Sequence, residues 1–308
     1  MPEPAVSVLI VTWNTRELTL RCLDSLAGNV SSDARLQVVV VDNGSADGTA
    51  AALASREDIE LVLNTENVGF AAAVNQAYRR ARGEFVLLLN SDVELEPGGL
   101  EALVRFLRER PDAAGAAPLY RNPDGSPQQF HFRLPTFAML LANASALVRI
   151  LPGFREQVRN HWMLDDAFDE PLPVPQPSAS CLLLRRTVLR PDRIFDERYP
   201  IFFNDVMLAR EVAASGRQLW VVPTAIAVHD AHSSTGKLGI AGKRQYLGAL
   251  IRMLQETEPA RHLWLYRGIV FIQELVAYVA RRPRAIPPRE LVRTLAGDVG
   301  PLPNAPTG

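Results

Sequence analysis

The residues Phe85-Val86-Leu87-Leu88-Leu89 form an apolar run with no polar interruption, leading directly into Asn90-Ser91-Asp92. A strand that is apolar on both faces needs cover on both, which places it inside a parallel sheet flanked by helices; a half-exposed strand would alternate instead. In open α/β sheets, ligands bind beyond the carboxyl ends of such strands. The polar cluster after Leu89 therefore falls where a ligand would sit. Taken alone, Ser91 and Asp92 can equally form a turn that caps a helix beginning near Pro97.

The rest of the first half repeats the pattern. Short apolar runs over 6–11, 36–41 and 59–63 alternate with amphipathic segments, as βαβ units do. Thr12-Trp13-Asn14 closes the first strand, and Thr15 is placed to cap a helix whose apolar positions Leu18, Cys22 and Leu26 fall at helical spacing. The second strand runs into Asp42-Asn43-Gly44-Ser45-Ala46-Asp47-Gly48-Thr49, rich in residues that tolerate tight turns and offer side-chain oxygens. The third leads through Asn67-Val68-Gly69-Phe70 into a helix that carries Asn75. A helix over 97–110 follows the fourth strand, with Pro111 stopping it.

Beyond Pro118 the periodicity loosens. An apolar helix is expected over 136–150, and the proline-rich stretch 171–177 reads as an extended connector on the surface. Strand character returns over 180–184, a helix over 204–215 ends at Gly216, and strand material over 218–228 is broken at Pro223. From about residue 241 the chain is helical. In the stretch 263–280, Arg267 and Glu274, followed by Arg281, recur every seven residues as a narrow polar stripe on an otherwise apolar helix, which packs on the core, on a partner or in a membrane interface. The tail after Gly297 is expected to be disordered.

At 308 residues and 47% hydrophobic, the chain can bury one large core, or one core with a small appendage. A net charge of -1 provides no broad basic face for nucleic acid. Cys22 and Cys181 lie in apolar stretches without metal-ligand spacing and read as buried thiols of a reducing compartment. No basic region followed by an apolar run and cleavage site opens the chain, so cytoplasmic residence is the default expectation.

The ordered motifs Ser7-Val8-Leu9-Ile10-Val11-Thr12-Trp13-Asn14, Val41-Asp42-Asn43-Gly44-Ser45, Asn67-Val68-Gly69-Phe70 and Asn90-Ser91-Asp92 closely resemble family 2 glycosyltransferases of the GT-A fold, in the bacterial rhamnosyltransferase-like branch. The resemblance continues through Ser178-Ala179-Ser180-Cys181, Phe195-Asp196-Glu197-Arg198, the segment 204–210 and Val228-His229, covering roughly the first 240 residues. It implies an α/β GT-A domain over 1–240, with a nucleotide-binding half (1–117) and an acceptor half (118–240). A helical extension (241–296) and the tail (297–308) follow.

The resemblance also implies roles. A nucleoside-diphosphate sugar, a dTDP- or UDP-sugar, would lie against Thr12, Trp13, Asn14, Asp42, Asn43, Ser45, Asn67, Gly69, Phe70, Asn75, Asn90 and Ser91. Asp42 would accept hydrogen bonds from base or ribose, and Gly69 would let the backbone approach the ligand. The family's Asp-x-Asp type motif, which holds a divalent cation against the donor diphosphate, reads Asn90-Ser91-Asp92 here, leaving Asp92 as the charged ligand. Either Mg2+ or Mn2+ suits one carboxylate plus phosphates, and a nitrogen ligand from His229 favours Mn2+. His232 is a second, weaker candidate.

Inverting transfer needs a base for the acceptor hydroxyl, and the resemblance places it at Asp205. Asn204 and Met207 stand where the family pattern has acids, and Asn204 can instead cap its helix. The acceptor is expected to be a glycan or lipid-linked glycan, and the apolar helices over 136–150 and 263–280 point to a lipid-linked one at the inner membrane face. Two other readings fit a chain of this pattern. A dinucleotide-binding oxidoreductase lacks its Gly-x-Gly-x-x-Gly after the first strand; a non-catalytic sugar-nucleotide-binding scaffold would keep the fold without turnover.

Overall fold

A computed structural model describes residues 4–29, 36–144, 148, 151–231, 238–300 and 302. Its elements in chain order are β1 (Val6–Thr12), α1 (Arg16–Ala27), β2 (Leu36–Asp42), α2 (Thr49–Ala54), β3 (Glu60–Leu63), α3 (Phe70–Tyr78), β4 (Phe85–Asn90), β5 (Val93–Leu95), α4 (Gly99–Glu109) and β6 (Ala113–Arg121). Then follow β7 (Pro127–Gln128), β8 (His131–Phe132), α5 (Phe137–Ala144), α6 (Pro152–His161), β9 (Leu172–Pro173), β10 (Gln176–Pro177) and β11 (Cys181–Arg185). The last are α7 (Asn204–Ala214), β12 (Gln218–His229), α8 (Gly239–Thr257), α9 (Ala260–Val279) and α10 (Pro288–Leu295).

The main sheet has the order β3-β2-β1-β4-β11-β6-β12-β5. β1 to β4 pair in parallel, and so do β6 and β12; β11 lies antiparallel between β4 and β6, and β5 antiparallel beside β12. The sheet is therefore mixed, with parallel pairing concentrated in the first half. Burial explains the uniform apolarity of β4. Phe85, Leu87 and Leu89 join one core with α1 and α4, whereas Val86 and Leu88 join the opposite core with α3 and α7. After β1 the chain runs to one side, through β2 and β3, and returns as β4 on the other side. The carboxyl ends of β1 and β4 thus flank the topological switch point where α/β sheets bind ligands.

Several local expectations change. Thr15 makes no cap hydrogen bond; its hydroxyl instead pairs with Thr12 Oγ1 and Ser91 Oγ, each at 3.0 Å. The first turn of α1 is capped from another loop, the Arg16 N–H donating to Asp47 Oδ2 at 3.0 Å. Pro223 does not break β12, because a bulge between Val222 and Ile226 takes up the missing ladder donor. The proline-rich stretch is extended as expected but not superficial: β9 pairs with β12, β10 pairs with β8, and Val174 and Gln176 are buried.

α8, α9, α10 and α5 enclose a third core that also takes in Tyr199 and Val206. The first residues of the tail are held there, since Gln245 Nε2 donates to the Gly300 carbonyl and Arg252 to that of Gly297, both at 3.1 Å. No helix of the described residues is long and apolar enough to cross a membrane.

Candidate active site

A cavity of about 400 Å³ opens at the switch point. One side is formed by Trp13, Asn43, Asn67, Phe70 and Asn90-Ser91-Asp92, the other by Phe130, residues 178–180, residues 201–205, His229 and Leu238. Two distant stretches meet through sheet register. β5 begins immediately after Asp92 and pairs Val93 with His229, the last residue of β12. The Asp230 N–H donates to the Asp92 carbonyl at 2.9 Å, locking the junction. His229 Nε2 consequently stands 3.7 Å from Asp92 Oδ1.

The ring of His229 is oriented from behind. Gln128 Nε2 donates to Asn122 Oδ1 at 2.7 Å and to the His229 carbonyl at 3.1 Å. That turns Gln128 Oε1 toward His229 Nδ1, at 2.9 Å. An oxygen at that distance calls for the hydrogen on Nδ1, so in the neutral ring the lone pair is on Nε2, the nitrogen facing the Asp92 carboxylate. The edge of Phe130, 4.6 Å away, and the Tyr120 ring, 5.7 Å away, wall the imidazole. A carboxylate and an imidazole lone pair directed at one point make a donor set that suits a divalent cation completed by phosphate oxygens. Among the described residues no group of three or more His, Cys, Asp or Glu could hold an ion by itself.

Asp42, buried at the end of β2, accepts the Ser45 N–H on Oδ2 at 3.2 Å. Its other oxygen is buried without a hydrogen-bond partner, and burial raises its pKa against the opposing bonds from Ser45. Trp13 Nε1, a donor in the cavity wall, is likewise buried without a partner. Asn43 and Asn67 brace the loops between them: Asn43 Nδ2 donates to Asn67 Oδ1 at 2.9 Å, and Asn43 Oδ1 accepts the Val68 N–H at 3.1 Å.

At the other end, α7 starts with Asn204 and Asp205 after Phe203, whose backbone is left-handed at φ 65°. That conformation is costly for a bulky residue. Asp205 Oδ2 accepts from Gln176 Nε2 at 3.3 Å, and Oδ1 accepts the Val206 N–H at 2.8 Å. Burial raises the Asp205 pKa, and these two bonds offset only part of the rise. Asn204 does not cap through its side chain; its amide donates back to the Ile201 carbonyl at 2.9 Å.

The profile described as "Glycosyl transferase family 2" matches residues 7–190. The chain is a family 2 glycosyltransferase. It is 30% identical over 246 residues to the N-acetylglucosaminyl-diphospho-decaprenol L-rhamnosyltransferase of Mycobacterium tuberculosis, covering 75% of this chain and 77% of that one. The fold is GT-A. A mannosyltransferase from Pyrobaculum calidifontis, solved with GDP-Man and Mn2+, superposes with a TM-score of 0.53 at 20% identity, covering 96% of this chain and 80% of the other. GalNAc-T7, solved with UDP, GalNAc and Mn2+, superposes with a TM-score of 0.57 at 14% identity over 82% of this chain; the match takes in 48% of that longer protein. Glycosyl transfer is the activity of the family to which this chain belongs.

Of the residues singled out in the sequence of this glycosyltransferase, Trp13, Asn43, Asn67, Phe70, Asn90, Ser91, Asp92, Asp205 and His229 line the cavity. Others sit behind it. Thr12 is buried, its hydroxyl 2.7 Å from that of Thr19; Asn14 and Ser45 tie two loops together, the Asn14 N–H donating to Ser45 Oγ at 2.9 Å and Asn14 Oδ1 accepting the Ala46 N–H at 2.7 Å. Gly69, expected to admit a ligand, faces Pro200, whose side chain would lie 3.1 Å from an added Cβ. Asn75 is a correction. Its amide is consumed in bonds to the Ile194 and Phe195 N–H groups, the Phe195 carbonyl and Glu197, so it braces residues 194–197 and stands outside the cavity lining. His232 lies outside the described residues.

Gln128, Phe130, Gln176 and residues 201–203 escaped sequence reasoning. They lie in two-residue strands or in loops, too short for a periodic pattern, and only Ser178 to Ser180, beside the Cys181 N–H that the Tyr120 hydroxyl accepts at 2.8 Å, carried a motif signal.

Proposed function

We propose that this glycosyltransferase moves a sugar, rhamnose by analogy with the mycobacterial relative, from a dTDP- or UDP-sugar to a lipid-linked glycan acceptor, with inversion at the anomeric carbon. The observation that carries this reading is that one cavity holds the Asp92–His229 pair and, across it, the carboxylate of Asp205. Asp42, Trp13 and Asn43 receive the nucleoside, the partnerless Asp42 Oδ1 and Trp13 Nε1 supplying an acceptor and a donor. Asp92 and His229 hold a divalent metal. Bound there, the ion supplies positive charge to the diphosphate as it departs, and Mn2+ fits the mixed oxygen and nitrogen set better than Mg2+.

Asp205 accepts the proton of the acceptor hydroxyl as its oxygen bonds to the anomeric carbon; the bond to the diphosphate breaks on the opposite face, and the electron pair leaves with it. Gln176 fixes the carboxylate from one side. The wall at residues 201–203 supplies Ile, Phe and Phe, an apolar surface suited to the lipid-proximal part of an acceptor. Met207, where an acid was expected, packs into the third core instead.

The test is a panel of nucleotide sugars followed by thermal shift with and without Mn2+, then by transfer to a polyprenyl-diphosphate-linked glycan. Metal-enhanced stabilisation by one donor, with turnover lost in Asp205→Asn and binding kept, supports the reading. Donor binding without turnover on any acceptor in the native protein would replace it with the scaffold alternative.

A further inference from the structure

α9 is apolar on its outward side as well as on the side it packs into the third core, unlike the usual amphipathic surface helix. The residues it buries are Tyr266, Val270 and Glu274, and Glu274 is ion-paired with Lys243 of α8 at 2.6 Å. Its outward row is apolar: Trp264 at 69% exposure, Leu265, Phe271, Ile272 at 63%, Val276 at 59% and Val279 at 74%. Trp264 and Phe271, like Leu265 and Ile272, stand seven residues apart, and Val276 and Val279 follow Ile272 at steps of four and three, so all six lie on one side of the helix. Single exposed apolar residues are ordinary, but a full helical stripe is a contact surface.

The charge around the stripe selects the partner. Arg281, Arg282 and Arg284 follow the helix and are exposed, as are Arg261 at its start and Arg289 and Arg293 on α10. No acidic residue occurs between Glu274 and Glu290, and Glu290 is itself paired with Arg244 at 2.9 Å. A two-fold contact with a second copy would bring these arginines toward their own kind. An anionic bilayer surface accepts both features. The apolar stripe enters the acyl boundary, Trp264 and Tyr278 sit at headgroup depth, and the arginines reach phosphates.

We infer that the exposed face of α9 docks this enzyme on an anionic lipid surface. This deepens the lipid-linked-acceptor reading and rests on it for its purpose. The link to the active site is α8, which packs against α9 and places Tyr246 against the rings of Phe202 and Phe203 in the cavity wall, at 5.6 and 5.1 Å.

Co-sedimentation of the full chain with vesicles of phosphatidylglycerol and phosphatidylethanolamine, against vesicles of phosphatidylcholine, tests the docking. Binding to the anionic vesicles is expected, weakening with salt. The pair Ile272→Glu with Val276→Glu should abolish it, and the triple Arg281→Gln, Arg282→Gln, Arg284→Gln should weaken it by about tenfold or more. Both variants change exposed residues and should keep the parent's thermal shift with donor. Absence of vesicle binding by the parent at low salt, or undiminished binding by the glutamate variant, overturns the inference. So does conversion of an oligomer to a monomer by those glutamates in light scattering, which would make the face a protein interface. Failure of donor binding bears instead on the glycosyltransferase site, because the vesicle assay contains no donor.

Discussion

His229 presents Nε2 to Asp92 Oδ1 at 3.7 Å while Gln128 holds its Nδ1 at 2.9 Å. On the proposed reading these three residues, brought together at strand ends, are a pre-oriented ligand pair and its support. Support of this kind governs metal affinity, because it sets the tautomer and aims the lone pair. Replacing Gln128 by Leu should weaken Mn2+ binding, measured by titration with nucleoside diphosphate present, by about 10- to 100-fold. Asp92→Ala should remove metal-dependent donor stabilisation altogether. Undiminished metal-dependent transfer in Asp92→Ala would disprove the assignment.

Asp205→Asn should lower transfer by about 10²- to 10⁴-fold, the range for losing a positioned base, with donor affinity retained. Its effect on stability runs the other way. Burial raises the Asp205 pKa in the folded protein, so the folded state binds more protons between the ordinary carboxylate value and the raised one. Stability is therefore lost as pH rises through that window. Asp205→Asn should be more stable than the parent at neutral pH, and the gain should vanish below the ordinary carboxylate range in urea titrations.

The Gln176 amide opposes that rise by donating to the ionised form of Asp205. In Gln176→Met, a volume-conserving change that removes the donor, the acid limb of kcat/KM should move to higher pH while the donor KM stays unchanged. An unmoved limb would show that Gln176 is only packing.

Asp42→Ala removes the buried acceptor at the end of β2. A hydrogen bond to a charged group contributes about 1.5–3 kcal/mol, so the donor KM should rise by roughly 10- to 100-fold. Without donor, stability should hold or improve, since one Asp42 oxygen is buried without a partner.

Gly44 has φ +78°, and a Cβ there would come within 2.9 Å of the Glu66 backbone. Gly44→Ala should cost at least about 1–2 kcal/mol from the left-handed conformation alone, read by urea denaturation. Because the same loop seats Asn43 against Asn67, the donor KM should rise as well.

Much of this was written in the chain. The doubly apolar run before Asn90 dictated a strand covered on both faces, since neither face tolerates water, and alternating runs around it dictated the βα order of the first half. The local chemistry of the strand ends marked Trp13, Asn43, Asn67 and Asp92 as cavity residues, because polar side chains after buried strands have few other places to go. Asp205 and His229 were named from motif resemblance, and both line the cavity.

Tertiary structure decided what spacing cannot encode. Only the antiparallel pairing of β5 with β12 brings Asp92 to His229, and only the β6–β7 hairpin brings Gln128 behind it. Burial of Gln176 beside Asp205 contradicts the surface position that its prolines suggest, because an extended segment can be inserted between elements as readily as laid over them. Asn75 reads as a polar helix residue open to a ligand, yet long-range bonds to residues 194–197 consume its amide. The stripe of α9 left its direction open between core and surface. Packing settled that, since Tyr266, Val270 and the Glu274–Lys243 pair take the inner side and leave a second apolar row outside.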